Sequence, residues 1–191
     1  KRNAVMGTTS QPFAILTHDW KISEKSNLVT AASFSSGFRS TSGLDWFNVP
    51  DPRPDYYRYL PSYQDDPVLA AQVLSLIQNN VNRRQINWDA LYNTNYANYE
   101  TIQNVNGIAG NTVSGKRSLY IVSERVTHTN RFNANTTYNT AVNSHVDLTA
   151  GLTFEAQSNN YYKKVKDLLG GDFWVDVDQF AERDFPANPN A

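Results

Sequence analysis

The chain of 191 residues has no cysteine, only three histidines, and almost equal numbers of basic and acidic residues, 17 and 18. Without cysteine there are no disulfides, zinc–thiolate sites, iron–sulfur clusters or cysteine nucleophiles. His18, His128 and His145 are far apart and show no metal-ligand spacing. The net charge of −1 argues against a nucleic-acid-binding surface, which needs a basic excess. We therefore expect no cofactor, no metal and no nucleic-acid partner.

Long hydrophobic runs are also missing. No stretch approaches 18 apolar residues, so the sequence predicts no transmembrane helix. The N-terminus lacks the charged head and apolar core of a secretory signal. A processed product and an internal piece of a longer polypeptide both fit these features. Because both ends are irregular sequence, we favour the internal piece.

Four segments alternate apolar and polar residues with a period of two, which predicts two β-hairpins at about 1–38 and 118–162. The apolar face of the first hairpin is predicted to carry Ala14, Leu16, His18, Trp20, Ile22, Leu28, Thr30, Ala32, Phe34 and Phe38. The corresponding face of the second is predicted to carry Phe132, Ala134, Thr136, Tyr138, Val146, Leu148, Ala150, Leu152, Phe154 and Ala156. We expect both apolar faces to lie on the same side of one sheet.

Two environments explain such a face. In a soluble all-β ligand-binding module it would pack on a second sheet; in a transmembrane β-barrel it would contact lipid. Three features favour lipid: strands of ten or more residues, aromatic residues near strand ends, and short turns that alternate with long connections. The sequence therefore predicts an all-β fold with a helical loop insertion, specifically an antiparallel barrel segment of about four strands plus a long external loop.

The long connection, about 39–117, carries its own structural signals. Asp66 and Pro67 predict the start of a helix that extends to about residue 80, with Asp66 as N-cap. A short helical turn is predicted at 87–92, and residues 93–115 are predicted to form a loop. After the second hairpin, 163–191 is predicted to begin a second external loop, with a short helix at 163–169 ended by two glycines.

Seven of the 11 tyrosines lie between Tyr56 and Tyr99. Aromatic rings can stack on a ligand and offer polar groups to it. Alternatively, they could pack a small core of the loop itself. The candidate ligand-binding residues in this connection are Trp46, Tyr57, Tyr59 and Trp88, which we expect to be presented by a platform of Pro52, Pro54 and the helix.

Charged residues on the polar strand faces form a second candidate group. Arg131 and Glu155 could contact a ligand inside a barrel, together with Arg125 and Asp147. They could equally pair with one another across neighbouring strands. Acidic residues near the C-terminus, from Asp172 to Asp184, match no calcium-binding motif and fit a solvated loop. Nucleophile elbows, phosphate loops and metalloprotease motifs are missing, so we expect no enzymatic activity.

Several segments together resemble TonB-dependent receptors of Bacteroidetes-type bacteria. Residues 44–48 (LDWFN), 54–63 (PDYYRYLPSY) and 85–92 (QINWDALY) resemble the external loop of these receptors. Residues 120–125 (YIVSER) and 167–186 share the resemblance, and residues 20–28 resemble the hairpin that precedes this loop.

The resemblance implies a parent barrel of about 22 strands with an N-terminal plug, in the bacterial outer membrane. Such receptors bind scarce nutrients, namely iron chelates, cobalamin, glycans or peptides, and import them with energy from the TonB complex. The implied partners are the remaining barrel and plug segments, the TonB complex, outer-membrane lipid and an extracellular nutrient. Because four strands cannot close a barrel, we expect other segments to complete it.

Overall fold

The computed structural model describes residues 3–176 and 184, and shows mostly antiparallel β-structure with two short α-helices. The chain divides into two compact units. The strand unit comprises Lys1–Gly43 and Glu124–Lys164, and the loop unit comprises Leu44–Ser123 and Val165–Ala191. No α-helix in the described part of the chain is both long and apolar enough to cross a membrane.

Five strands form the main sheet. Their bounds are β1 Gly7–Ser10, β2 Phe13–Ser23, β3 Ser26–Trp46, β6 Tyr120–Asn143 and β7 Val146–Asp167. In the sheet order β1-β3-β6-β7, β2 also pairs with β3. The second hairpin is longer than the predicted range 118–162, because β7 continues to Asp167.

β1 and β2 pair with β3 in one continuous antiparallel register. Ser10 lies opposite Phe38 and Phe13 lies opposite Ser35, so only residues 11–12 interrupt what is otherwise a single strand. Pro12 has no N–H to donate to a ladder, which explains the interruption. Gly37 faces this point so closely that an added Cβ would lie 2.2 Å from the carbonyl oxygen of Ser10. Any larger residue there would displace the backbone.

Side-chain hydrogen bonds show which residues of the neighbouring strands lie opposite one another. Between β3 and β6, Thr30 Oγ1 and Thr136 Oγ1 are 3.0 Å apart. Between β6 and β7, the Thr129 hydroxyl donates to Asn159 over 2.8 Å. With the register of β2 on β3, these pairs put the even-numbered residues of β2, β3, β6 and β7 on one side of the sheet. The prediction that the two apolar faces coincide is confirmed.

We call the even-numbered residues 14–22, 28–34, 132–138 and 146–156 the apolar face. Within it, Leu148, Leu152 and Phe154 are 50%, 77% and 60% exposed. Phe132 and Phe154 contact each other across β6 and β7 at 6.3 Å between ring centroids. The apolar face is therefore a large exposed hydrophobic surface whose side chains contact one another along the sheet. A surface of this kind is unusual for a protein that is surrounded by water.

Both hairpins close with two-residue turns, at 24–25 and at 144–145. In contrast, 73 residues separate the end of β3 from the start of β6. Short turns therefore lie at one end of the strand pairs, and long connections leave from the other, as the sequence predicts.

The loop unit contains the helices α1 (Pro67–Asn79) and α2 (Trp88–Ala97) and a small hairpin of β4 (Tyr99–Gln103) and β5 (Thr112–Lys116). The predicted helix with its N-cap is confirmed, because the Asp66 carboxylate accepts a hydrogen bond from the Val68 N–H at 2.9 Å. Asn87 caps α2 in the same way, accepting from the Ala90 N–H at 3.1 Å.

The helical turn predicted at 87–92 is confirmed, but it continues as the ten-residue helix α2. Two other predictions for these connections are wrong. The predicted loop at 93–115 contains the end of α2 and most of the small hairpin of β4 and β5. The predicted helix at 163–169 is instead the end of β7 and a turn. Cross-strand contacts override the helix preference of the lysines there: Lys164 Nζ lies 3.1 Å from a carboxylate oxygen of Glu124.

A small hydrophobic core holds the loop unit together. Leu91, Tyr120, Val122 and Leu169 are its buried members, and Leu169 is fully buried. They come from α2, β6 and the turn after β7, which are distant in sequence. The partly buried hydrophobic residues packed against them are Leu44, Trp46, Val49, Ile86, Trp88 and Tyr92.

Candidate functional site

The loop unit contains an open cleft of about 680 Å³, the size of a small-molecule site. Its walls come from the proline-rich segment after β3, from α1 and from the turn that follows α1. The lining residues are Pro52, Arg53, Pro54, Arg58, Tyr59, Gln64, Val73, Leu76, Ile77, Asn80, Asn82, Arg83, Gln85 and Asn87. We refer to this site as the arginine cleft.

One wall is fixed by short-range order in the proline-rich segment. Residues Tyr57–Tyr59 and Pro61–Tyr63 form two 3₁₀ turns. The Tyr59 hydroxyl donates to the Asp51 carbonyl oxygen at 3.0 Å and ties the turns back to the start of the segment. Gln64 donates its side-chain amide to the Arg58 carbonyl oxygen at 3.3 Å. These bonds link the two turns to each other and to the start of the segment.

The apolar part of the lining comes from α1. Val73, Leu76 and Ile77 lie three and four residues apart, so they share one face of the helix. Asn80 ends α1 and then accepts from the Asn82 N–H at 3.0 Å, which starts the 3₁₀ turn Val81–Arg84. This turn places Arg83 at the cleft.

The charge of the cleft is positive. Three arginines line it, and none of its described lining residues is an aspartate or glutamate. Arg53 is paired with Asp51, to which its Nε donates at 2.9 Å. Burial alone would raise the pKa of Asp51, but the hydrogen bonds and charge of Arg53 outweigh burial and lower it. Asp51 therefore stays ionised and offsets Arg53, which leaves the charges of Arg58 and Arg83 for a ligand.

Four tyrosines form an aromatic cluster beside this wall. Tyr56 contacts Tyr57 and Tyr59 edge to face, at 4.8 and 5.2 Å between ring centroids, and Tyr57 contacts Tyr63 at 5.2 Å. The Arg58 Nε donates to the Tyr57 hydroxyl at 3.0 Å. This hydrogen bond is the largest cause of the lowered pKa of Tyr57. The cluster braces Arg58 through both hydrogen bonding and its own packing.

The four aromatic residues predicted to bind ligand in this connection occupy different places. Tyr59 lines the arginine cleft, and Tyr57 is half exposed in the adjacent cluster. Trp46 and Trp88 instead pack against the hydrophobic core. The Arg53 guanidinium lies 5.2 Å from the centroid of the Trp46 ring, so Trp46 supports a cleft residue from behind. For the two tryptophans, core packing is the observed role.

The other two predicted residues, Arg131 and Glu155, lie on the polar face of the strand unit. Their Nε and Oε1 atoms are 3.7 Å apart, and Arg131 also donates to Gln157 from Nε at 2.9 Å. They thus pair across β6 and β7, the alternative left open by the sequence. Arg131 and Gln157 also line a shallow polar groove on this face. The arginine cleft and the Arg131 site belong to different units, and any ligand role of either remains a prediction.

Sequence reasoning missed the residues that define the cleft chemically, namely Arg53, Arg58, Arg83 and a set of side-chain amides. The arginines are spread over 31 positions of the sequence, and only folding brings them to one cleft. The signal that was available is the alternation of proline and arginine at 52–54, since proline fixes the backbone around the arginine.

Comparison with protein-family models and with curated proteins gives no match. Among solved structures, one described as "Cryo-EM structure of the Gasdermin A3 membrane pore" is similar at a TM-score of 0.25 and 9% sequence identity. The similarity covers 86% of this chain and 60% of the gasdermin chain, so the chain spans less than two thirds of that structure. At this TM-score, it carries no argument about fold or function.

Proposed function

We propose that the chain is part of a TonB-dependent outer-membrane receptor, in which the strand unit contributes to the barrel wall and the loop unit binds an extracellular nutrient. The nutrient would be an iron chelate, cobalamin, a glycan or a peptide, and import would use energy from the TonB complex. The proposed location is the bacterial outer membrane, and the other partners are the remaining barrel and plug segments of the parent receptor.

The observation that carries the membrane part of this proposal is the exposed apolar face. A soluble module would bury such a face under a second sheet about 10 Å away. Here, Leu148, Leu152 and Phe154 are all at least half exposed. Lipid chains would cover the face without any further protein layer.

The dimensions of the face also suit a bilayer. In β7 it spans residues 146–156, which at about 3.3 Å per residue and a tilt of about 45° gives a height of about 25 Å. Two pairs of hydroxyl groups within or next to the face bond to each other, for example Thr30 with Thr136 at 3.0 Å. Polar groups in lipid must be satisfied in this way, because no water is available.

The same side of the sheet becomes polar nearer the long connections. Ser36 donates to Asn130 at 2.6 Å, and Ser40 donates to Glu124 at 2.8 Å. Lys164 then pairs with Glu124. A change from apolar to charged side chains along one face fits strands that cross a membrane and extend beyond it into water.

Assignment to the TonB-dependent class is supported by the sequence resemblance of the segments at 44–48, 54–63, 85–92, 120–125 and 167–186. The division of the chain agrees with that class, since strands with short turns at one end have a long, ordered connection at the other. The arginine cleft provides a concave, pre-ordered place for a ligand within this connection.

The membrane assignment can be tested with single cysteines, since the chain contains none. The variants Leu148→Cys, Leu152→Cys and Phe154→Cys are compared with Asp147→Cys, Thr153→Cys and Glu155→Cys in the full-length parent, expressed in the bacterial outer membrane. We expect a lipid-soluble photoreactive probe to label the first three variants. A water-soluble maleimide should label the three odd-numbered controls, whose side chains lie on the opposite side of β7.

Weak lipid-probe labelling at 148, 152 and 154, together with their protection from the maleimide, would indicate a second protein layer and favour the soluble module. To test the transport step, nutrient uptake is measured with and without a functional TonB complex. Uptake that continues unchanged without TonB would remove the receptor assignment even if the strands are in lipid.

A further inference from the structure

The chemistry of the arginine cleft restricts the class of ligand beyond a general nutrient. We propose that the cleft binds a small ligand that combines an anionic group with an apolar portion. This inference rests on the proposed function only in assigning ligand recognition to the loop unit; it requires neither a closed barrel nor transport.

The anionic part follows from the charges. Arg53, Arg58 and Arg83 line the cleft, and no acidic residue is among its described lining residues. Asp51 neutralises Arg53. Arg58 and Arg83 still give the cleft a net positive charge, which favours an anion. Guanidinium groups bind carboxylates and phosphates through paired hydrogen bonds, which makes arginine well suited to oxyanions.

Arg58 and Arg83 differ in the contacts that restrain their side chains. Arg58 is held by its hydrogen bond to the Tyr57 hydroxyl, and its guanidinium lies 5.6 Å from the centroid of that ring. Arg83 lies in the short turn Val81–Arg84 and, like Arg58, is exposed. Because Arg58 is already held by Tyr57, it binds an anion at a lower entropic cost, and Arg83 supplies a second guanidinium group.

The apolar part follows from the α1 wall. Val73, Leu76 and Ile77 line the cleft together with the arginines, and Pro52 and Pro54 add apolar surface. A fully charged or fully hydroxylated ligand would leave this wall without a suitable partner. A ligand with an apolar portion would cover it and gain the free energy of removing that surface from water.

Side-chain amides supply the remaining contacts. Gln64, Asn80, Asn82, Gln85 and Asn87 line the cleft. The Gln64 NH₂ group donates to backbone carbonyl oxygens, and the side-chain oxygens of Asn80 and Asn87 accept from backbone N–H groups. The amides of Asn82 and Gln85 and the NH₂ groups of Asn80 and Asn87 therefore supply the contacts to a ligand. Such groups recognise peptide bonds or similar polar, uncharged groups. An acidic peptide of two or three residues has all three features and fits a volume of about 680 Å³.

The test uses two blocked dipeptides, acetyl-leucyl-glutamate amide and acetyl-leucyl-glutamine amide, which have nearly the same shape and differ in charge. Their affinities for the full chain in detergent are measured by isothermal titration calorimetry. We expect the glutamate peptide to bind about tenfold more tightly, the scale of one charged hydrogen bond. This preference should decrease as salt is added.

Arg58→Gln and Arg83→Gln should each remove most of the preference for the glutamate peptide. Arg84→Gln is the matched control, because Arg84 lies in the same turn as Arg83 and is exposed but does not line the cleft. Leu76→Asn should weaken both peptides equally. Circular dichroism of each variant checks that it has folded.

Equal affinities for the two peptides would overturn the proposal, as would no binding of either, or an Arg84→Gln effect equal to that of Arg83→Gln. These outcomes are independent of the cysteine labelling of the strands. If labelling places the strands in lipid while the peptides fail to discriminate, only the ligand class is wrong.

Discussion

The strand unit and the loop unit are stabilised in different ways. Every residue of β2 and almost every residue of β7 is exposed, so these strands are held mainly by backbone pairing and cross-strand contacts. The loop unit has a buried core in which Leu91, Tyr120 and Leu169 pack together. The sheet therefore depends on its surroundings for burial of its apolar surface, whereas the loop unit buries its own.

The core of the loop unit also contains a buried polar side chain that joins several of its segments. Asn95, fully buried on α2, donates to the carbonyl oxygens of Tyr120, Leu168 and Leu169 at 2.8 to 3.1 Å. Its own oxygen accepts from the N–H groups of Leu119 and Tyr120. One side chain thus joins a helix to two segments distant in sequence.

The largest expected effect is therefore at this residue. Asn95→Ala should destabilise the loop unit by about 3 to 5 kcal/mol, since it leaves several buried backbone groups without partners. Urea unfolding of the chain in detergent, followed by tryptophan fluorescence, measures the change. Asn93→Ala is the control, because Asn93 is exposed on the same helix. Similar losses for both variants would contradict the role of Asn95.

The next effect tests the proposed contact between the strand unit and lipid. If the face meets lipid, Leu152→Arg should reduce the stability of the proposed parent protein in bilayers by about 2 to 4 kcal/mol, the cost of a cation near the middle of a membrane. Thr153→Arg places the same charge on the opposite face of β7 and should cost much less. The measurement is reversible unfolding in lipid vesicles. Equal costs for the two variants would show that the even face does not meet lipid.

Backbone packing within the sheet can be tested separately from lipid. Gly37→Ala should destabilise the pairing of β1 with β3 by about 1 to 3 kcal/mol, because the added Cβ meets the backbone of Ser10 at 2.2 Å. Hydrogen exchange at residues 8–10 should become faster. Gly43→Ala, where an added Cβ has no neighbour within 4 Å, is the control on the same strand. Unchanged exchange in Gly37→Ala would show that the junction yields without cost.

The smallest expected effect concerns a charge pair in the loop unit. Burial would raise the pKa of Glu100, but hydrogen bonds from Arg117 and Asn98 and the charge of Arg117 lower it overall. Arg117 Nη1 lies 2.8 Å from Glu100 Oε2. A lowered folded pKa means that the pair stabilises the unit above the unfolded pKa of about 4.3, and that this contribution is lost as pH falls through the folded value.

Unfolding free energies of the chain and of Glu100→Gln should therefore differ most near neutral pH and converge as pH falls through the lowered pKa of Glu100. The pH-dependent part should stay below about 1 kcal/mol, since Glu100 is partly exposed and solvent weakens the pair. Parallel pH profiles for the two proteins would exclude a contribution from Glu100 ionisation.

Local sequence signals were sufficient where the physics is local. The alternation in 14–22 and 146–156 fixes which residues share a side of the sheet, because side chains in a strand alternate with a period of two. Asp66 followed by Pro67 fixes the start of α1, because capping needs only neighbouring residues. The all-β class, the shared apolar face and the short turns were all predicted in this way.

Predictions failed where long-range pairing decided the outcome. The lysine-rich segment at 163–167 has helical character by itself, yet it pairs with β6 as a strand. The polar segment at 99–116 resembles a loop, yet Tyr99 pairs with Lys116 and Gln103 with Thr112. In both places the partner strand supplies hydrogen bonds that the isolated segment cannot show.

The sequence by itself determined the apolar and polar faces of the strands and the capped helix of the long connection, since these depend on spacing and on adjacent residues. Only the tertiary structure decided that Trp46 and Trp88 support a core, and that Arg53, Arg58 and Arg83 meet at one cleft. The physical reason is that burial and charge clustering depend on which distant segments pack together, and Asn95 joins those segments through bonds that no local pattern reveals.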